Sequence, residues 1–347
     1  MLANIVFLIV LSLSSIMSEH FRGLNVENSV LTRFNNWIDE HNFHIFNEDH
    51  LVHVFENWVN NDKFIDQTNS QELYYKLGHN AYSGYSFDEF RQIMSFDFNR
   101  DLISSLKSNN SIAPIEASVP SSVDWRSQGV VNTIKDPGQC GSCWSFSTIQ
   151  SLESASAIKY GKLYTLSEQE LVDCDILSNG GRDHGCNGGL MNNAFTWIGK
   201  NNGVCSGADY PYVSGVTKTA GSCQKTCKNQ PNTDIINFVD ISINSDSAMM
   251  SALAQQPVSI AIEADQREFQ LYSSGVFTSE CGTNIDHGVG LVGYTSDYYI
   301  LRNSWGASWG VNGYMMIGKG NDPTTGKPYN SGAGQCGLLT TGSYPVV

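Results

Sequence analysis

Apolar residues recur at helical spacing in the central part of the chain. One stripe follows Cys143, and a second runs from Leu190 towards Gly203. Between them, Ser167 and Glu170 form a capping box, which marks the start of a helix. These patterns predict three helices in this part of the chain. The members of the two stripes are Trp144, Phe146, Ile149, Leu152 and Ile158, and then Leu190, Met191, Ala194, Phe195 and Ile198.

The C-terminal part of the chain has short apolar runs separated by turn residues. Such runs predict strands at 257–264, 288–294, 298–302 and 313–317. Helices followed by strands favour an α+β fold in which a helical lobe packs against a sheet or barrel lobe. We therefore expect a cleft between the lobes, which is a common position for an active site.

The N-terminal third divides into a helical unit and a linker. Leu51, Val54 and Trp58 are spaced as on one face of a helix, and residues 29–94 are predicted to form a separate helical unit. Residues 95–118 are polar and carry the glycosylation sequon that begins at Asn109. We expect an exposed linker that is open to proteolysis. Residues 119–347 then form the main domain.

The first residues form a short apolar run that ends in small side chains. Residues 1–18 are predicted to be a secretory signal peptide, although no Lys or Arg precedes the run, and a buried N-terminal helix is the alternative. No other stretch has the roughly 20 apolar residues of a membrane span. We expect a protein that is secreted or delivered to a lysosome-like or endosomal vacuole.

Composition and charge narrow the possible functions. The chain is 41% hydrophobic and 16% charged, as in packed globular proteins, and its net charge of −14 argues against nucleic acid as a partner. It contains nine cysteines, all after residue 139. In a secreted protein an odd number of cysteines suggests that one thiol stays free while the others form disulfides.

Cys143 stands immediately before the first predicted helix. The N–H groups at a helix N-terminus favour an anion, so a cysteine there gains thiolate character. Beyond residue 119 only His184 and His287 are available as proton partners, and His287 heads a predicted strand. Asn303 follows the next strand and has a side-chain amide oxygen that is suited to orienting an imidazole. The three residues predict nucleophilic catalysis.

The chain from 119 to 347 resembles the papain family of cysteine peptidases, and the cathepsin L-like group in particular. The cysteine motif fits the C-G-[SA]-C-[WY] pattern of that family. Other matching segments are Ser122-Val123-Asp124-Trp125-Arg126, Gly185-Cys186-Asn187-Gly188-Gly189-Leu190-Met191, Tyr210-Pro211-Tyr212, Gln256-Pro257-Val258-Ser259 and Asn303-Ser304-Trp305-Gly306.

The resemblance implies a two-lobe fold and a peptidase mechanism. Cys143 is expected to be the nucleophile, His287 the general base and then acid, and Asn303 the orienting residue beneath Trp305. The substrates are expected to be proteins or peptides, the protein a monomer, and no metal or cofactor is implied. Two alternatives remain for the motif residues: a thioredoxin-like or zinc-binding pair formed by Cys140 with Cys143, and a merely buried His287.

One position departs from the family pattern. The resemblance implies that a glutamine six residues before the nucleophile, together with the backbone N–H of Cys143, donates to the oxyanion. Pro137 occupies this position and has neither a side-chain donor nor an N–H. We expect slow turnover, unless Gln139 swings in as a substitute. A papain-fold binding or structural protein without proteolysis is the alternative function.

The resemblance also implies the disulfides and the pocket for the P2 side chain of the substrate. The implied pairs are Cys140 with Cys186, Cys281 with Cys336, Cys174 with Cys223 and Cys205 with Cys227, with exchange of Cys223 for Cys227 left open. An apolar P2 residue is expected, because the residues at the pocket positions are apolar or small. They are Leu190, Met191, Ala261, Ile285 and Thr341.

The helical unit at 29–94 resembles the inhibitory propeptide of the family. Trp58, Asn61, Ile65 and Asn69 match the later half of its long helical motif, whereas the earlier half is lost. A further hypothesis concerns the histidines of this unit. Protonation near pH 5–6 of the six histidines before the linker would loosen its hold on the cleft; surface histidines without such a role are the alternative. The six are His20, His41, His44, His50, His53 and His79.

Overall fold

The structure is a computed structural model that describes residues 27–94, 111–112 and 119–347. The predicted signal peptide at 1–18, the sequon residue Asn109 and most of the predicted linker lie outside the described residues.

Three helices form the N-terminal unit: α1 (Asn28–His41), α2 (Glu48–Asn69) and α3 (Phe87–Met94). Asn47 caps α2, since its side chain accepts a hydrogen bond from the His50 N–H. Helices α1 and α2 enclose a small aromatic core of their own. The fully helical unit predicted from sequence also contains a short strand, β1 (Tyr75–Leu77).

The helical lobe contains α4 (Cys143–Tyr160), α5 (Glu168–Cys174), α6 (Met191–Lys200) and the single turn α7 (Ser214–Thr217). The predicted capping box is present, because the Ser167 hydroxyl accepts a hydrogen bond from the Glu170 N–H at 3.0 Å. Helix α4 differs from its predicted amphipathic pattern. It is buried on every face as far as Ala157, and Ile158 is 37% exposed.

The second lobe is a sheet with two short helices, α8 (Asp246–Leu253) and α9 (Arg267–Gln270). Within the described residues the strand order is β1-β6-β9-β8-β7-β5-β10-β4-β2, and β3 pairs with β7. Only β6–β9 and β2–β4 are parallel pairs in this path. The strands are β2 (Ser111–Ile112), β3 (Val123–Asp124), β4 (Asn237–Ile241), β5 (Val258–Ile262), β6 (Tyr272–Phe277), β7 (His287–Tyr294), β8 (Tyr298–Arg302), β9 (Tyr314–Gly318) and β10 (Gly342–Val346).

The two lobes meet where α4 packs against β7. The Ser147 hydroxyl donates to the Val289 carbonyl at 2.7 Å, and Ser151 and Ser259 are joined by a hydroxyl hydrogen bond of 2.9 Å. Gly290 allows this close approach, because a Cβ atom there would lie 1.7 Å from the Gln150 amide nitrogen. The contact holds the start of α4 beside the start of β7 and thereby positions the candidate site.

Candidate active site

Cys143 is the first residue of α4 and is buried, with 5% of its surface exposed. The Gly288 N–H donates to its Sγ at 3.3 Å, and the backbone N–H groups of Trp144 and Cys143 at the start of the helix also favour the thiolate. Burial nevertheless raises the pKa of the thiol to about 11, despite these donors, and the Asp286 charge adds to the increase. In the structure as it stands the thiol is therefore protonated.

His287 begins β7, and Asn303 directly follows the neighbouring strand β8. The His287 Nε2 lies 2.8 Å from the Asn303 Oδ1. An amide oxygen only accepts hydrogen bonds, and this one also accepts from the Ser304 N–H at 2.8 Å, so the Nε2 carries the hydrogen. Nδ1 is then the imidazole nitrogen that is available to take a proton.

Trp305 covers this hydrogen bond. Its ring stacks on the His287 imidazole with a centroid distance of 4.7 Å and an interplanar angle of 26°. Burial lowers the pKa of His287 to about 4, against the hydrogen bond to Asn303, which raises it. Burial thus opposes charge on both Cys143 and His287, and the pair is neutral while it stays covered.

Pro137 lies buried in the loop before Cys143. Its carbonyl accepts a hydrogen bond from the Tyr212 hydroxyl at 3.0 Å. Gln139, the possible substitute donor, is engaged elsewhere: its N–H donates to the Gly215 carbonyl at 3.1 Å, and its side chain hydrogen-bonds the Tyr85 hydroxyl. Neither position 137 nor position 139 offers a free side-chain donor in this state.

The five predicted pocket residues are buried or partly buried. Four of them belong to the large buried cluster of the helical lobe. Thr341 joins them because its hydroxyl accepts a hydrogen bond from the Ala261 N–H at 3.1 Å. The four clustered residues are Leu190, Met191, Ala261 and Ile285.

Four disulfides are present in the described residues. Cys143 is the cysteine of this part of the chain that remains free. The pairs are Cys140–Cys186, Cys174–Cys223, Cys205–Cys227 and Cys281–Cys336.

A possible metal-binding group within the described residues consists of Glu170, Cys205 and Cys227. The two sulfurs are joined in a disulfide, and the Glu170 carboxylate accepts a hydrogen bond from the Cys205 N–H at 2.7 Å. The group therefore offers no thiolate ligand and is a structural contact.

Sequence reasoning missed several residues that hold the site. Both oxygens of Glu263 accept backbone N–H groups, from Gly282 at 2.9 Å and from Asn284 at 2.5 Å. These bonds fix the loop that leads to His287. Tyr212 belonged to a recognised motif but had no assigned role. The contacts of both residues join segments far apart in sequence, and no local pattern marks them.

The N-terminal unit packs on the sheet lobe next to the candidate site. Strand β1 pairs with β6 in antiparallel orientation, and the Asn80 amide donates to the Gln270 carbonyl at 2.8 Å. Phe90 is fully buried, and its ring meets the Trp305 indole edge-on at 5.3 Å. The unit therefore contacts the same indole that covers His287.

Comparison with known proteins agrees with this geometry. The profile described as "Papain family cysteine protease" matches residues 119–346. The chain belongs to the papain family. The cathepsin L-like resemblance and the α+β fold predicted from sequence are confirmed by the relatives and solved structures that it matches.

The similar proteins include plant proteases and precursor structures. Probable cysteine protease RD21B of Arabidopsis thaliana is 41% identical over 319 residues, which are 89% of this chain and 65% of that protein. The recombinant stem bromelain precursor has 32% identity and a TM-score of 0.80, and the match covers 92% of this chain and 99% of that one. Digestive procathepsin L 3 of Tenebrio molitor has 29% identity and a TM-score of 0.79, with coverage of 92% and 100%.

The chain thus spans 65% of the length of RD21B, and the bromelain and procathepsin structures are of precursor forms. Within the described residues no helix has the length and apolar character needed to cross a membrane.

Proposed function

We propose that the protein is a cysteine endopeptidase zymogen that cleaves peptide bonds through Cys143 and His287. The observation that carries the proposal is the 2.8 Å contact of His287 with Asn303, beside a cysteine that begins a buried helix. The contact leaves Nδ1 of the imidazole to exchange a proton with the thiol. Family membership supports the same chemistry.

In the proposed reaction His287 takes the thiol proton, and the Cys143 sulfur attacks the carbonyl carbon of the substrate. The tetrahedral intermediate collapses as the C–N bond breaks, and the imidazolium gives its proton to the leaving amine. Water, deprotonated by His287, then attacks the thioester. The second collapse releases the carboxylic acid product and restores the thiol and the neutral imidazole.

The substrate preference follows from the pocket. Leu190, Met191, Ala261 and Ile285 present apolar surface, and Thr341 adds a hydroxyl that is already used by the backbone. An apolar P2 side chain such as Leu, Val or Phe gains free energy by leaving water there. A basic P2 side chain would meet no acidic partner among these five residues.

The N-terminal unit is proposed to be the inhibitory propeptide. It contacts Trp305 and pairs with the sheet, and burial in this form keeps the catalytic pair neutral. Release of the propeptide would expose Cys143 and His287 to water and favour their ion pair. We propose boundaries of 29–94 for the propeptide, 95–118 for the activation segment and 119–347 for the mature monomer, in a secreted or vacuolar protein without a nucleic-acid partner.

The test is active-site labelling combined with turnover. The full chain and the chain matured by limited proteolysis are incubated with an epoxysuccinyl inhibitor and then assayed with peptides that carry Leu or Arg at P2. We expect labelling of Cys143 and turnover of the Leu peptide only after maturation, and neither in Cys143→Ala. Labelling without any turnover would instead favour the binding-protein alternative that Pro137 suggests.

A further inference from the structure

The loop before the nucleophile rests directly on a second segment, Tyr212–Gly215. The Gln139 N–H donates to the Gly215 carbonyl at 3.1 Å. Gly138 has a φ of +58°, and a Cβ atom on it would lie 2.7 Å from the Gly215 carbonyl oxygen. A Cβ atom on Gly215 would in turn lie 2.7 Å from the Pro137 oxygen. Both glycines are required for this close approach of two backbones.

The Tyr212 hydroxyl ties the two ends of the loop together. It lies 3.0 Å from the Pro137 carbonyl oxygen and 2.7 Å from the Ser142 hydroxyl. A phenol has one proton and a carbonyl only accepts, so Tyr212 donates to Pro137 and accepts from Ser142. The ring is held edge-on against Phe146 of α4 at 5.0 Å.

Ser142 is the residue that precedes α4, and its side chain makes no hydrogen bond to an N–H of the helix. The Tyr212 hydroxyl engages it instead. The carbonyl of Ser142 accepts from the Ser145 N–H at 2.8 Å, which anchors the other side of the Ser142–Cys143 peptide. This peptide carries the Cys143 N–H, and its direction is therefore set from both sides.

We propose that Tyr212 is a positioning residue that aims the Cys143 N–H at the oxyanion. The proposal rests on the proposed function. Oxyanion donors act only when they are held at the position where charge develops. Because Pro137 contributes no donor, this chain depends on the Cys143 N–H more than it would with a side-chain donor beside it. Burial also raises the pKa of Tyr212, so its hydroxyl remains a donor at working pH.

The primary test is Tyr212→Phe in the matured protein. We expect kcat to fall about tenfold or more, a part of the 10²–10³ that a lost oxyanion donor costs, while KM stays within about twofold. The rate and pH dependence of Cys143 alkylation by iodoacetamide should not change, because the thiol and His287 are untouched. If Tyr212 only stabilised the fold around the loop, its replacement would also change the rate of Cys143 alkylation and the KM.

Tyr210→Phe is the matched control. The Tyr210 hydroxyl donates to Asp173 at 2.9 Å, away from the nucleophile loop. Removal of this hydroxyl should leave kcat within about twofold of the native value. Ser142→Ala is the second variant, which removes the same link while keeping the aromatic ring, and it should reproduce the fall in kcat even where Tyr212→Phe folds poorly.

A double variant examines the mechanism directly. Pro137→Gln supplies a second oxyanion donor, and in that background Tyr212→Phe should cost less in kcat than in the native chain. Unchanged kcat in both Tyr212→Phe and Ser142→Ala, with an active native enzyme, overturns this proposal. Absence of turnover in the matured native chain overturns the proposed function itself, so the two failures are distinguishable.

Discussion

Pro137 is the residue at which the candidate site departs most from the chemistry proposed for it. His287 is hydrogen-bonded to Asn303, and the Gly288 N–H donates to the Cys143 sulfur, but the loop at 137–139 provides no free side-chain donor in this form. An oxyanion with one donor is stabilised less than an oxyanion with two. The rate, rather than the type of reaction, depends on this residue.

Replacement of Pro137 by Gln should therefore raise kcat/KM of the matured enzyme at least tenfold, which is a part of the 10²–10³ that one oxyanion donor is worth. The measurement is steady-state hydrolysis of a peptide with Leu at P2. Gln139→Ala is the matched control. An unchanged kcat/KM in Pro137→Gln, together with a fall in Gln139→Ala, would show that Gln139 serves the oxyanion once Tyr85 has left with the propeptide.

Cys143, His287 and Asn303, the residues proposed for catalysis, could be placed from sequence because each stands at a recognisable position, at a helix start or at a strand end. Glu263 and Tyr212 were not predictable in this way. Their side chains bind backbone groups of segments that the fold brings close, such as the 2.9 Å bond from the Gly282 N–H to Glu263. Such contacts depend on tertiary packing, which the residue pattern does not encode locally.

At the scale of elements, the connection between α5 and α6 contains a buried carboxyl pair. Asp175 and Asp183 hydrogen-bond each other through their side chains, and the Asp183 Oδ1 also accepts from the Leu190 N–H at 3.0 Å. Burial, followed by the Asp175 charge, raises the pKa of Asp183 well above its ordinary value. The folded chain therefore binds a proton at Asp183 more tightly than the unfolded chain does, beside the backbone of Leu190.

Stability should fall as pH rises, because a group with a raised folded pKa binds its proton more tightly in the native state. The free energy of unfolding begins to fall above the ordinary Asp pKa of 3.8. It falls by at most about 1.4 kcal/mol per pH unit, until the pH reaches the pKa of the folded state. Asp183→Asn keeps the acceptor oxygen and removes the shared proton. Its Tm should exceed that of the native protein by about 2–4 °C or more at pH 7 and by much less at pH 4.

Thermal unfolding followed by near-ultraviolet circular dichroism at both pH values measures the difference. The exposed Asp234, changed to Asn, is the matched control and should show the same Tm as the native protein at each pH. An equal Tm for Asp183→Asn and the native chain at pH 7 would contradict a shared proton.

The three helices and four strands predicted for the main domain are present, with strand ends displaced by up to two residues: the run predicted at 313–317 is β9 (Tyr314–Gly318), and that at 257–264 is β5. Strands β3, β4, β6 and β10 and helices α7, α8 and α9 were not predicted. Nor were the full burial of α4 and the presence of β1 in the N-terminal unit. Helix α4 is buried on all sides because β7 covers the face that its polar residues occupy, and Ser147 and Ser151 are satisfied across the lobe contact. Strand β1 forms because β6 is available for pairing, not because of its own sequence.

At the scale of the whole molecule, the N-terminal unit and the enzyme lobes share one core. Ile65, Tyr75, Leu77, Tyr82 and Phe90 belong to the same hydrophobic cluster as the sheet lobe. The unit therefore leaves only when its own fold loosens or when these contacts break. We expect protonation of its histidines to promote such loosening.

The surroundings of two histidines oppose protonation, through a buried ring nitrogen in His79 and an occupied acceptor nitrogen in His50. His79 stacks on Trp58 at 4.2 Å and hydrogen-bonds Asp62 through Nε2, while its Nδ1 is buried without a partner among the described residues. The His50 Nδ1 accepts from the Phe46 N–H at 3.2 Å, which a protonated nitrogen cannot do.

Burial is the largest cause that lowers the pKa of both His50 and His79, although the Asp62 carboxylate partly offsets it for His79. A pKa below the ordinary 6.5 in the folded state means that the folded unit binds the proton less tightly than the unfolded chain. The N-terminal unit is therefore most stable above that pH and loses stability as the pH falls below it. His53 instead contacts the Glu89 carboxylate, with 2.6 Å between its Nε2 and the carboxylate oxygen. The structure thus favours His50 and His79 as acid-sensitive groups.

The variant His50→Gln/His79→Gln should accordingly release its propeptide at a lower pH than the native chain, with the midpoint displaced by about half a unit or more. Glutamine does not titrate and retains a donor for Asp62. To prevent self-cleavage, release is followed in the Cys143→Ala background, by tryptophan fluorescence as Trp58 and Trp305 become exposed. His53→Gln is the control, and its midpoint should stay the same or move to higher pH. An unmoved midpoint in the double variant would assign acid activation to groups other than these two histidines, with the carboxylates of the interface, such as Asp265 paired with Arg91 at 3.1 Å, as the remaining candidates.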